Sequence, residues 1–131
     1  MKSEFNFDVR GYELDSFGHV NNSVYLSYFE QARWEFFKDN GFYDYFKEYG
    51  LFPVVTEVKI RYLKELKVFD KAVVKNEFKY RGNFIIAYQN VYLASSNIKI
   101  AKGTVEMVLV SVDRICVDIP DMMRNKLQEV L

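Results

Sequence analysis

Apolar residues along this chain switch between two spacings. Phe5, Phe7 and Val9 alternate with Asn6, Asp8 and Arg10, the period of two that marks a half-buried strand, and they predict a first strand ending near Leu14. A polar loop from Asp15 to Asn22 follows. Tyr25, Phe29, Ala32 and Phe36 then recur at helical spacing, and Tyr28 and Phe37 widen the apolar face beyond a narrow stripe. Such a face predicts a deeply buried helix of about sixteen residues, capped by Asn22 or Ser23 and stopped at Asn40-Gly41.

The stretch FYDYFKEYG predicts a turn of helix and a loop ending before Pro53, after which the pattern becomes strand-like. In VVTEVKIRY, Val58, Ile60 and Tyr62 share one face, and AVVKNEFKY, FIIAYQNVYLA and IKIAKGTVEMVLVSV are rich in β-branched and aromatic residues. Four successive strands predict an antiparallel meander. The breaks between the last three are hairpin-length clusters, RGN at 81–83 and SSN at 95–97, and VFDK around Asp70 closes a longer loop. Pro120 is placed to open a C-terminal helix, DMMRNKLQEV. Strands segregated from one long helix read as α+β, with a curved antiparallel sheet wrapped around the helix to cover its apolar faces.

Composition narrows the picture. A chain of 131 residues, half hydrophobic and 18% aromatic, is long enough for one domain, 1–131, with a core that needs no staples, and it has apolar surface to spare for a second copy. Eighteen basic residues balance eighteen acidic ones, so there is no electrostatic footprint for duplex nucleic acid. One cysteine, Cys116, and one histidine, His19, exclude a His/Cys metal cluster within the chain. Acidic residues in MKSEFNFDVR break any signal-peptide core, and no stretch approaches the roughly 20 apolar residues of a membrane span, so the expectation is a soluble, cytoplasmic protein.

The loop concentrates the chemistry. Asp15 has the ordinary reading of a turn-capping carboxylate, and Asn21 and Asn22 that of a turn and a helix cap. The other reading is an active site, because a carboxylate, a histidine and a helix N-terminus with unpaired N–H groups converge within eight residues, Asp15 to Asn22.

The segment Asp15 to Arg33, DSFGHVNNSVYLSYFEQAR, closely resembles the signature of hotdog-fold acyl-CoA thioesterases of the 4-hydroxybenzoyl-CoA thioesterase class. The resemblance extends over nearly the whole chain through Pro53, the VKIRY strand, Asp70 and an IPD opening near the C-terminus. It implies a homodimer or homotetramer with edge-to-edge sheets, active sites at the subunit interface, and coenzyme A as the thiol carrier within the substrate, with no separate cofactor. By position, Asp15 matches the catalytic carboxylate and the Asn22 backbone N–H the donor that polarises the thioester carbonyl; His19 stands where many relatives keep a histidine. Arg81 and Asn83 match positions that approach coenzyme A phosphates. The KELKV stretch at 64–68 departs from the pattern by lacking the proline and glycine that relatives place before Asp70.

Thioester hydrolysis needs an attacking oxygen and stabilisation of charge on the carbonyl oxygen, while the thiolate leaves readily. Asp15 suits either nucleophilic attack or general-base activation of water; Gly18 permits close backbone approach, and Val20 and Tyr25 are neighbouring candidates for substrate contact. The Tyr25, Phe29, Phe36 stripe is also expected as core. Glu30 is an alternative carboxylate better suited to an ion pair, and Lys59, Arg61, Lys64 and Arg81 are solvated cations that, if clustered, would suit phosphates. Hydrolysis of an acyl-carrier-protein thioester and a non-catalytic acyl-CoA binding module are the rival readings.

Overall fold

The computed structural model describes residues 1–130. β1 (Lys2–Asp8) leads into a single 3-10 turn at Gly11–Glu13, and after the loop come α1 (Val24–Asp39) and α2 (Phe42–Tyr49). Four long strands follow, β2 (Phe52–Tyr62), β3 (Lys71–Arg81), β4 (Phe84–Leu93) and β5 (Lys99–Val110). The chain closes with β6 (Cys116–Val117), a one-turn α3 (Asp121–Arg124) and β7 (Gln128–Glu129).

The sheet runs β1-β3-β4-β5-β2, all antiparallel, with β6 added to β5 and β7 lying parallel to β3. Only β3, β4 and β5 form the meander expected from sequence. β2 crosses to the far edge and pairs with β5, which local periodicity cannot reveal because pairing is a tertiary choice. Its pattern is correspondingly exposed, with Val54, Val55 and Val58 open to solvent.

Other boundaries shift for physical reasons. β1 stops at Asp8, because the next residues turn under the buried carboxylate of Glu13, which accepts from the Arg10 N–H at 2.8 Å; Leu14 only bridges to Val20. FYDYFKEY is a full eight-residue helix between two left-handed glycines, Gly41 (φ 79°) and Gly50 (φ 64°), and Pro53 lies inside β2, where an edge strand tolerates it. The expected ten-residue C-terminal helix is four residues long, since Leu127 turns inward and Gln128 and Glu129 pair with Lys79 and Tyr80.

α1 has the predicted sixteen residues and buries Tyr25, Tyr28, Phe29, Ala32, Phe36 and Phe37 against the sheet, while Leu26, Glu30 and Trp34 face out. Within one chain the sheet therefore covers the helix on one side only. Gly103 on β5 makes close approach possible, because Phe29 occupies the space where a side chain would sit. Two apolar clusters flank a buried polar row. Gln89 donates to the Phe29 carbonyl and to Asn76 Oδ1, both at 2.9 Å, and Asn76 donates to Ser3 Oγ at 3.1 Å.

Candidate active site

The 15–22 loop is a backbone-tied turn. The Asp15 N–H donates to the His19 carbonyl at 2.8 Å, and Asp15 Oδ1 accepts the N–H groups of Phe17 at 2.9 Å and His19 at 3.2 Å. Gly18, at φ 80°, supplies the left-handed residue that closes the turn, and the space around it is open. Val20 N–H then donates to the Leu66 carbonyl, and Asn21 N–H to the Glu13 carbonyl, both at 2.9 Å, anchoring the loop on both sides.

Beneath it, Glu13 is 4% exposed and accepts from Arg10 Nη2 at 2.6 Å and from the Tyr28 hydroxyl at 2.8 Å. Burial raises its pKa, but the side-chain and backbone hydrogen bonds from Arg10 outweigh it and hold the carboxyl below the usual range. Burial likewise pushes the Tyr28 hydroxyl up, as donating to Glu13 does.

Neither Asn22 nor Ser23 caps α1 with its side chain; Asn21 instead closes a turn just before the helix. Its Oδ1 accepts from the Ser23 N–H at 3.1 Å and the Ser23 hydroxyl at 3.0 Å, and Ser23 at the cap position makes no capping bond of its own. The Asn22 carbonyl accepts from the Tyr62 hydroxyl at 3.0 Å. The Asn22 N–H has no protein acceptor among the described residues, leaving a donor free at the mouth of α1.

These groups share one open cleft of about 340 Å3, lined by Asp15, His19, Val20, Asn22 and Tyr25 together with Tyr62, Leu63, Lys64 and Glu65. Asp15 Oδ2 carries no hydrogen bond among the described residues, so one carboxylate oxygen is fixed by the turn while the other stays free. His19 Nε2 stands 3.0 Å from Glu65 Oε2. Tyr25 and Tyr62 meet edge to face with centroids 5.3 Å apart, and burial pushes the Tyr25 hydroxyl up to about 12.

Of the candidates read from sequence, Asp15, His19, Asn22, Val20 and Tyr25 line the cleft, while Gly18 closes the turn between them without lining it. Arg81 and Asn83 do not line it. Arg81 reaches Glu106 at 3.4 Å, and Asn83 bonds Asp118 and Arg124, at the other end of β3, about 30 Å of strand away. Glu30 is exposed on α1 and makes no ion pair among the described residues. Sequence reading missed Glu13, Tyr62 and Glu65. Glu13 was legible as an acid three residues after Arg10 in front of a turn, whereas Tyr62 and Glu65 reach the cleft only through the crossing of β2.

The donor set among the described residues gathers no group of His, Cys, Asp and Glu able to hold a metal ion. Nor is any described helix long and apolar enough to cross a membrane.

Residues 9–127 match the model of the thioesterase-like superfamily, and the chain belongs to that family. It is 40% identical over 73 residues to the acyl-acyl carrier protein thioesterase ATL3 of Arabidopsis thaliana, covering 55% of this chain and 38% of that protein. It is 30% identical over 69 residues to the long-chain acyl-CoA thioesterase FadM of Escherichia coli, covering 53% of this chain and 52% of FadM. These alignments thus span about half of FadM and less of ATL3. The crystal structure of Slr0204, a 1,4-dihydroxy-2-naphthoyl-CoA thioesterase from Synechocystis, superposes with a TM-score of 0.85 at 12% identity, over 95% of this chain and 94% of that one. The fold is therefore the hotdog, as the sequence resemblance implied.

Proposed function

We propose that this member of the thioesterase-like superfamily is an acyl-CoA thioesterase, releasing a carboxylic acid and coenzyme A at the Asp15 cleft. One observation carries the reading: a carboxylate with one fixed and one free oxygen shares a cleft with the unpaired Asn22 N–H, just before the start of α1. The thioester carbonyl oxygen would take the Asn22 N–H, where the positive end of α1 adds to the donor, and one such donor is worth roughly 3–4 kcal/mol of transition-state stabilisation.

Asp15 Oδ2 takes a proton from water as the water oxygen attacks the carbonyl carbon; collapse of the tetrahedral intermediate breaks the C–S bond, and that proton goes to the departing thiolate. Direct attack by Oδ2, through a mixed anhydride that water then opens, gives the same products. His19, tied to Glu65, orients the substrate at the lip. The name of FadM supports a coenzyme A thioester, and that of ATL3 supports a carrier-protein thioester as the second reading.

The active unit is a dimer in which a second copy pairs along β2. That strand is an unpaired edge with exposed Val54, Val55 and Val58, beside an outward helix face carrying Leu26 and Trp34, which is apolar surface a monomer leaves open.

The test is free-thiol release from short, long and aromatic acyl-CoAs by wild type and Asp15→Asn. Turnover that falls at least a hundredfold in the variant supports the reading. Turnover that survives the substitution refutes the role of Asp15, and absence of turnover across acyl-CoA and acyl-carrier-protein panels refutes the activity.

A further inference from the structure

The antiparallel register sorts the cations that sequence alone left scattered. Because Gln89 and Gly103 face the helix, their neighbours Asn90 and Lys102 face the opposite, convex side, and Lys102 pairs directly with Arg61 on β2. Two residues along, Thr104 pairs with Lys59 on the same side. Lys59, Arg61, Lys102 and Thr104 line one shallow surface cleft of about 330 Å3.

Two features set this patch apart from an ordinary solvated strand face. Arg61 and Lys102 have no carboxylate partner among the described residues, whereas Arg81 is engaged by Glu106. The patch also adjoins the catalytic cleft, since Tyr62, Leu63 and Lys64 line that cleft immediately after Arg61 in the chain.

We infer that the convex patch formed by Lys59, Arg61, Lys102 and Thr104 binds the phosphates of the substrate's coenzyme A nucleotide, in place of the Arg81–Asn83 turn. This rests on the acyl-CoA reading above. From the Asn22 donor, the pantetheine arm runs past Tyr62 and Lys64 and around the end of β2, a path of about 10 Å along three strand residues plus the reach of the side chains. The Arg61 guanidinium offers a planar fork to a phosphate and Lys102 a point charge beside it, while Lys59, held by Glu57 at 3.1 Å, borders them.

The experiment is calorimetric titration of the full chain with coenzyme A, adenosine 3′,5′-bisphosphate and pantetheine, for wild type, Arg61→Gln/Lys102→Gln and Arg81→Gln. The expected result is a loss of about tenfold or more in affinity for the two nucleotides in the double variant, no change for pantetheine, and wild-type affinity in Arg81→Gln. Equal nucleotide affinity in wild type and the double variant overturns the inference, as does no nucleotide binding, or a loss confined to Arg81→Gln. Thiol release from an acyl-pantetheine, which lacks the nucleotide, reports on the thioesterase reading separately. An increase in KM for an acyl-carrier-protein thioester in the double variant, with coenzyme A affinity unchanged, would make the patch a carrier-protein surface and would also overturn it.

Discussion

Gly103→Ala tests the packing that seats α1 on the sheet. A Cβ at this position meets Phe29 Cε2 well inside contact distance, lies 2.8 Å from Phe29 Cζ and stands 3.1 Å from the Gln89 carbonyl oxygen. Carbon atoms pack at about 3.5–4.0 Å, so something must move. The ring has nowhere to go, because Phe29 is fully buried in the same apolar cluster as Val74, Val91 and Ala101. Displacing the helix instead strains the Gln89 hydrogen bond to the Phe29 carbonyl. Overpacking of this kind costs about 1–3 kcal/mol and a weakened hydrogen bond about 1 more, against roughly 0.4–1 kcal/mol regained from the stiffer unfolded chain. The net expectation is a loss of about 1–3.6 kcal/mol. For a chain of this size that lowers Tm by about 3–14 °C, with a lower urea midpoint at unchanged slope. A Phe29→Leu partner substitution makes room, so the double variant loses less than the two single losses added together. Gly103→Ala at or above wild-type stability would refute the account of how the helix is seated.

Glu13→Gln keeps the shape of the buried carboxyl and removes the charge that Arg10 faces. Because the folded pKa lies below the unfolded value of about 4.3, the stabilisation is complete above that value and drains away as pH falls through the folded pKa; the variant is destabilised by about 1–3 kcal/mol at pH 7, and its denaturant midpoint depends less on acid than that of wild type. Parallel curves for the two proteins below pH 5 would show that Glu13 is not the group responsible. Placing lysines at Val55 and Val58 charges the β2 face that a second copy would cover, and sedimentation should shift from dimer toward monomer; an unchanged dimer would put the interface elsewhere. Gln89→Leu leaves Asn76 Oδ1 without its donor and Arg33 without its acceptor, and should cost about 1–3 kcal/mol in thermal unfolding; a neutral result would mean that water satisfies both groups.

The long helix was legible because its signal is local: five aromatic residues and Ala32 at helical spacing, a polar loop before and Asn40-Gly41 after. β3, β4 and β5 were legible for the same reason, with turns at 82–83 and 94–98. What escaped the sequence was decided by distant partners. β2 looks like the others in composition, and nothing in VVTEVKIRY says that it pairs with β5 instead of β3. Leu127 looks helical until its burial pulls Gln128 and Glu129 alongside β3. The site divides along the same line. Asp15, His19 and Asn22 lie within eight residues and converge in the cleft, whereas Tyr62 and Glu65 arrive from across the fold and Arg81 and Asn83 stay behind at the far end of β3.

The buried polar row explains how a helix that packs through large aromatic side chains holds one register. Apolar burial alone, such as that of Phe36 stacked on Phe78 at 3.7 Å, is non-directional. Hydrogen bonds are not. Gln89, fully buried, has both amide hydrogens committed, to the Phe29 carbonyl and Asn76, and its oxygen accepts from Arg33 Nη1 at 3.2 Å. Sliding α1 by one turn, about 5.4 Å, would orphan several of these polar atoms at about 1–3 kcal/mol each. The row therefore fixes where α1 begins. Its first N–H groups then meet the Asp15 loop, itself pinned by Glu13 and Leu66, and the free Asn22 donor and the free Asp15 oxygen come to share one cleft.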